Sequence, residues 1–268
     1  MFAQLWHCGR VSHHTLQPDG VAPVAPSAIQ AATEAFAYDA EGNPARVPAD
    51  PPRALTTAGI AQVIEDFRCA AANALAAGFD GVEVHGANGY LLDQFLNATT
   101  NRRDDAYGGS IENRARFVLE VVEAAAAALG PERVGLRLSP HGTFNDMGED
   151  PEADAMTLHL AEQLGALGIA YIHFVDPVFN GYADGEDLMR RARERFGGAV
   201  IACGDMSRHK GERYLAEGVA DLVGFGRAFI SNPDLPLRLR EDAPLAEPDP
   251  DTFYGGGAAG YTDYPTYG

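Results

Sequence analysis

One pattern recurs through most of the chain and limits what it can fold into: an amphipathic helix, a glycine, then a short apolar strand. The first copy is a helix predicted over residues 58–77, where Ile60, Val63, Ile64, Phe67, Ala71 and Leu75 fall at helical spacing. Thr56 or Thr57 suits its amino-terminal cap, Gly78 ends it, and a strand over 81–84 follows. Helices over 111–129, 153–167, 187–196 and 210–217 then precede strands over 133–138, 169–174, 199–202 and 221–225. Each joint carries a glycine (Gly78, Gly130, Gly168, Gly197, Gly218), which takes left-handed backbone at a helix end without steric penalty. A further strand is expected over 2–6. Short apolar strands alternating with amphipathic helices mean a parallel α/β architecture.

Polar residues gather just past these strands: His85, Arg137-Leu138-Ser139, Asp176, Gly204-Asp205 and Gly226-Arg227. A (β/α)8 barrel and an open doubly wound sheet both bind ligands at strand carboxyl ends. With no G-x-G-x-x-G at the first turn, a TIM (β/α)8 barrel is the expectation. Six strands are counted where closure needs eight, so the barrel is expected to lack its first two, leaving an open edge and an exposed apolar interior. The 268 residues then form a single barrel domain with a long Pro- and Gly-bearing loop over 11–55 and an extended tail over 241–268.

With 38 acidic against 20 basic residues the formal net charge is −18, a field that repels nucleic acid and anionic membranes. A small molecule is the expected partner; whether the acidity reflects life in salt is left open by composition. Cys8, Cys69 and Cys203 lie far apart and read as reduced, mostly buried thiols. No apolar run approaches the roughly 18 residues of a membrane span, and no signal segment is read at the start, so the cytoplasm is the expected location. His7, His13 and His14 cluster in sequence, but no carboxylate or cysteine beside them completes a recognised ligand pattern, so no metal is expected.

Three clusters carry chemistry. In His85-Gly86-Ala87-Asn88-Gly89-Tyr90, two glycines allow a tight turn that could converge His85, Asn88 and Tyr90 on one ligand. His85 and Asn88 can donate to a carbonyl oxygen, and the Tyr90 phenol can deliver a proton; the plain alternative is a satisfied turn histidine with a surface asparagine. Gly224-Phe225-Gly226-Arg227-Ala228, with Cys203-Gly204-Asp205 one strand earlier, suits a phosphate, against the alternative of ordinary glycine turns. Arg137, inside a strand, needs an anionic or electron-rich partner: either a structural salt bridge or a cofactor that gains negative charge. Gln4 and Trp6 share a strand face; Gln4 suits the edge of a heterocycle, and Trp6 either walls a pocket or fills the core.

Residues 2–10, the run 81–96 that contains His85-Gly86-Ala87-Asn88-Gly89-Tyr90, residues 107–114 and Phe225-Gly226-Arg227 resemble the Old Yellow Enzyme family of flavin-dependent ene-reductases. Residues 23–30 and the tail 253–265 resemble its bacterial branch, which reduces maleimides, nitrate esters and other xenobiotics. The resemblance implies FMN held noncovalently at the barrel mouth, NADPH as reductant, and an α,β-unsaturated carbonyl or nitro compound as substrate. It implies that His85 and Asn88 bind the substrate oxygen and Tyr90 gives the proton, while Gln4 and Arg137 contact the flavin ring. It further implies that Gly204, Asp205, Gly226 and Arg227 cradle the phosphate, and that Trp6 and Tyr254 wall the pocket. Relatives carry a further amino-terminal segment that supplies the first two strands. Two rivals remain at this point: an inactive fragment unable to hold FMN alone, and a phosphate-binding barrel lyase or isomerase. The latter needs a catalytic lysine or a metal, and the only lysine, Lys210, falls in a helix-opening turn.

Overall fold

The computed structural model describes residues 1–39, 41–253 and 257–268. Strand β1 (Phe2–Leu5) opens the chain and is followed by β2 (Val24–Ala25), β3 (Glu34–Tyr38), β4 (Pro44–Pro48) and β5 (Arg53–Ala54). The alternating part then runs α1 (Thr57–Ala76), β6 (Gly81–Gly86), α2 (Leu91–Leu96), α3 (Ile111–Leu129), β7 (Val134–Leu138), α4 (Ala153–Leu167) and β8 (Tyr171–Val175). It closes with α5 (Gly185–Phe196), β9 (Ala199–Cys203), α6 (Arg208–Ala216), β10 (Leu222–Gly224), α7 (Arg227–Ser231) and α8 (Leu235–Glu241). Six strands form one parallel sheet in the order β1-β6-β7-β8-β9-β10. Among the described residues β1 pairs only with β6 and β10 only with β9, so both edges are open.

The period-two alternation of these strands sorts the sheet into two unlike faces. On the helix-covered face Val82, Val84, Val134, Leu136, Ile172, Phe174, Val200 and Ala202 are all fully buried and join one core with α1, α3, α4 and α5. Burying each of the larger side chains is worth about 1.5–3 kcal/mol. The opposite, concave face carries Gln4, Glu83, His85, Arg137, Tyr171, His173 and Cys203, whose register brings Gln4 level with Glu83 and His85 level with Arg137 and His173. The expected exposed apolar interior is met only in part: Phe2, Trp6 and Leu222 are exposed there, and Val175, Ala199 and Ile201 share the face, but polar side chains stand among them. Gly135 has a steric reason to be glycine, because a Cβ there would collide with the Tyr171 ring from the neighbouring strand.

All five joint glycines have positive φ, and Gly168 (φ 70°, ψ 34°) and Gly197 (φ 69°, ψ 7°) are left-handed caps as predicted. The cap of α1 is Thr56, whose hydroxyl accepts from Gly59 N at 3.0 Å. Two expectations change. The segment 11–55 is not a bare loop, since β3 and β4 pair as an antiparallel hairpin and β2 lies parallel to β5. The cysteines are not mostly buried: Cys69 is exposed, and Cys8 and Cys203 are half-buried. Helix α2 escapes a periodicity search because nearly all its residues are buried, so it shows no amphipathic stripe. Among the described residues no helix is long and apolar enough to cross a membrane.

Candidate active site

Strand β6 continues through Gly86, which pairs with Leu138 of β7, so His85 lies inside the strand rather than just past its end. The turn that follows is strained into shape by its backbone, with Asn88 at φ 58° and Gly89 at φ 72°. Asparagine tolerates left-handed backbone better than most residues. Three side chains hold it there. Asn88 N donates to Ser139 Oγ at 2.7 Å, Gly89 N donates to Asp93 Oδ2 at 2.8 Å, and Asn145 Nδ2 donates to Asn88 O at 2.8 Å. Ser139 Oγ in turn donates to Asp93 Oδ2 at 3.1 Å, which ties two of the three supports together. With its backbone so fixed, Asn88 lines the cleft described below.

His85 is 4% exposed, and its Nδ1 is a buried polar atom without a hydrogen-bond partner among the described residues. Such orphans are rare in folded proteins and mark a place for a ligand or a water. Desolvation, assisted by the Arg137 charge, lowers the imidazole from its ordinary value to about 4. The ring is thus neutral at pH 7, with one N–H to donate. Trp6, His85 and Tyr90 form one ring cluster, with centroids 6.4 Å apart for Trp6–His85, 5.4 Å for His85–Tyr90 and 4.9 Å for Trp6–Tyr90.

Below these groups, four strands contribute to a chain of polar contacts. Gln4 Nε2 donates to Glu83 Oε1 at 2.7 Å, His173 Nδ1 lies 2.9 Å from Glu83 Oε2, and Arg137 Nη1 lies 2.8 Å from His173 Nε2. Because a guanidinium only donates, His173 Nε2 accepts and its Nδ1–H is directed to Glu83. Desolvation works to raise the Glu83 carboxyl, but hydrogen bonds from His173 and Gln4 and the Arg137 charge hold it at about 2. A carboxyl depressed on folding stabilises the fold fully above its unfolded pKa near 4.5, and the contribution is lost as pH falls towards about 2. At roughly 1.36 kcal/mol per unit, this is worth on the order of 3 kcal/mol. Urea midpoints at about pH 6, 4 and 3 should fall steeply for the parent and more shallowly for Glu83→Gln; parallel curves would refute the assignment.

Above this layer opens a cleft of about 380 Å³, within the usual range for small-molecule sites. It brings together Asn88, Arg137, Gly204, Asp205, Gly226 and Arg227, all singled out from the sequence, with Phe179, Cys203 and Phe225. Gly204 has φ 119°, and a Cβ there would stand 3.1 Å from Phe179, so the turn requires glycine. At Gly226 no described residue other than its chain neighbours comes within 4 Å of where a Cβ would be, leaving that side of its backbone open. The Arg227 guanidinium stands 5.9 Å from the Phe179 ring centroid. Lys210 Nζ donates to Gly204 O at 3.0 Å and pairs with the buried Asp176 Oδ2 at 2.7 Å, where Tyr214 OH also donates at 2.7 Å. Lys210 is a brace under the Gly204 turn, not a nucleophile.

Gln4 stands apart from the cleft, lining a separate depression with Trp6, His7, Val63 and Phe67 while bonded to Glu83. Tyr254 lies outside the described residues. Glu83 and His173 carry no role in the sequence reading. Glu83 precedes His85 by two positions, and His173 sits mid-strand like Arg137, so period-two reading from His85 and Arg137 could have flagged both.

The model of the NADH:flavin oxidoreductase / NADH oxidase family matches residues 1–246 of the chain. The chain is 43% identical over 269 residues to 12-oxophytodienoate reductase 2 of Arabidopsis thaliana, covering 99% of this chain and 71% of that protein. It is 44% identical over 269 residues to 12-oxophytodienoate reductase 1 of Oryza sativa subsp. japonica, covering 98% of this chain and 68% of that protein. Among solved structures it is similar to morphinone reductase in complex with tetrahydroNAD, with a TM-score of 0.94 and 51% identity over 99% of this chain and 72% of that one.

Proposed function

The chain belongs to the NADH:flavin oxidoreductase / NADH oxidase family, the Old Yellow Enzyme family of FMN-dependent oxidoreductases, and from that premise we propose that it is an ene-reductase. Its substrates in this reading are small molecules with an activated C=C bond, α,β-unsaturated carbonyls and maleimides, or nitro and nitrate ester compounds. The reductant is a reduced nicotinamide, read here as NADPH; the tetrahydroNAD in the morphinone reductase structure makes NADH the coenzyme to test beside it. The observation that carries the proposal is the pairing of a buried, neutral His85, whose Nδ1 has no hydrogen-bond partner among the described residues, with the fixed Asn88 turn that lines the cleft.

The residues present fit FMN. The open backbone at Gly226, the glycine-requiring Gly204 turn and Arg227 suit a phosphate, while the concave polar layer around Arg137 suits a planar heterocycle. When bound, FMN supplies the hydride for the reduction. Arg137 would face the ring edge that gains negative charge, while Gln4, bonded to Glu83 outside the cleft, supports that layer through Glu83. His85 and the Asn88 amide donate to the substrate oxygen, where charge gathers as the β-carbon is reduced. Tyr90, at the start of α2, holds the proton for the α-carbon on its phenol. Trp6, packed edge-on against Tyr90, walls the substrate side. The lyase or isomerase reading has no support here, since Lys210 is committed to Asp176.

The purified chain titrated with FMN should form a yellow complex that is bleached by NADPH or NADH and regains its colour with cyclohexenone or N-ethylmaleimide. A chain that binds no FMN, or whose complex neither coenzyme bleaches, refutes the proposal.

A further inference from the structure

We propose that His13, His14 and Asp50 form a binding site for a borderline dication of the Zn²⁺ class, one that clips together the two ends of the segment carrying β2, β3 and β4. The two histidines are sequence neighbours whose rings lie side by side, with centroids 4.0 Å apart. Asp50, 36 residues further on, reaches both: its Oδ2 lies 2.8 Å from His14 Nδ1 and its Oδ1 3.8 Å from His13 Nε2. One ligand atom from each of the three residues lies within 4.8 Å of the others. Zn²⁺ ligands at about 2.0–2.2 Å in tetrahedral array sit roughly 3.3 Å from one another, inside the span of these contacts.

The surroundings hold the donors in place. Asp50 N donates to Ser12 O at 3.0 Å, and His14 N donates to Asp50 Oδ2 at 2.6 Å, so the backbone joins both ends of the segment without a metal. The Thr15 hydroxyl lies 2.8 Å from His13 Nδ1, to which Thr15 N also donates at 3.4 Å, and these contacts orient the ring with Nε2 on the Asp50 side. Two imidazoles and one carboxylate suit zinc, whereas calcium and magnesium prefer all-oxygen sets. The side chains of His13, Asp50 and His14 are 14%, 25% and 52% exposed, which leaves an open side for entry and for water as a further ligand. A chain of net charge −18 draws dications to its surface.

The clip would act close to the cleft. Within the clipped segment Ala32 N donates to Asp146 Oδ2 at 2.9 Å, and the adjacent Asn145 supports Asn88 O. The proposal is independent of the flavin reading, because no residue of the cleft takes part.

The test is calorimetric titration of the chelator-stripped full chain, with FMN present, by Zn²⁺ and by Ca²⁺. About one equivalent of Zn²⁺ should bind, Ca²⁺ should not compete, and Zn²⁺ should raise the melting temperature. His13→Ala and Asp50→Asn should each weaken Zn²⁺ binding by at least about tenfold and abolish the thermal shift. Asp50→Asn keeps an oxygen to accept from His14 N, so its circular dichroism should match the parent. Absence of Zn²⁺ uptake by the parent, or uptake unchanged in both variants, overturns the site.

Discussion

Asn88→Asp is expected to lower kcat/KM for an unsaturated carbonyl by about 100- to 1,000-fold, the usual cost of removing one donor from an oxyanion site. The substitution keeps the size of the side chain and the tolerance for φ 58°, but replaces an N–H donor with an anionic acceptor. The turn itself should persist, because Ser139 and Asn145 bond the backbone of Asn88 rather than its amide. FMN titration and circular dichroism therefore separate a lost donor from a lost fold. His85 sharpens the same experiment: with its imidazole lowered to about 4 by burial and by Arg137, the parent should show no inflection from this residue across about pH 5 to 8. An unchanged kcat/KM in Asn88→Asp would remove Asn88 from the proposed mechanism.

The second large effect lies away from the chemistry. Arg114 belongs to one of the stretches that carry the family resemblance, yet its side chain is only 1% exposed and acts as a structural staple. Its Nη1 donates to Leu96 O at 2.6 Å and to Asp150 Oδ2 at 2.7 Å, its Nη2 to Glu152 Oε2 at 2.6 Å, and its Nε to Gly109 O at 3.2 Å. Four segments thus meet on one guanidinium: α2, the Gly109 turn, α3 and the approach to α4. Arg114→Met should cost about 3–5 kcal/mol, because Asp150, 5% exposed, is left as a buried carboxylate without its cation. Glu152 is 52% exposed and adds little. For a chain of this size the melting temperature should drop by roughly 6 to 20 °C, while kcat measured well below the transition stays near the parent value. A loss below about 1 kcal/mol would show that Asp150 finds its partners elsewhere, in Ala98 N and Glu152 N.

Arg114 and Lys210 show how far residues in conspicuous sequence positions can be read. Both carry charge beside a glycine turn, and both prove to be braces, one on Asp150 and one on Asp176. Among the described residues Arg137 forms no salt bridge: its Nη1 contacts His173, and its side chain lines the cleft. His85 was placed one residue beyond its strand, because the apolar run stops at Val84, whereas the ladder to β7 continues through Gly86.

The helices Ile111–Leu129 and Ala153–Leu167, the positive-φ glycines at the joints and the six parallel strands all follow from the amino-acid order alone. So does the gathering of the Asn88, Gly204 and Gly226 turns at one end of the sheet. Each depends on a local period or on a residue that only one backbone conformation accommodates, and parallel strands repeat the same polarity every time. Tertiary structure alone decided that Glu83 meets His173 across 90 positions and that Asp50 closes on His13 and His14. Those pairings come from register between strands and from the path of the segment between β1 and α1. No local period encodes either, because the contacts join side chains whose neighbours in sequence are unrelated.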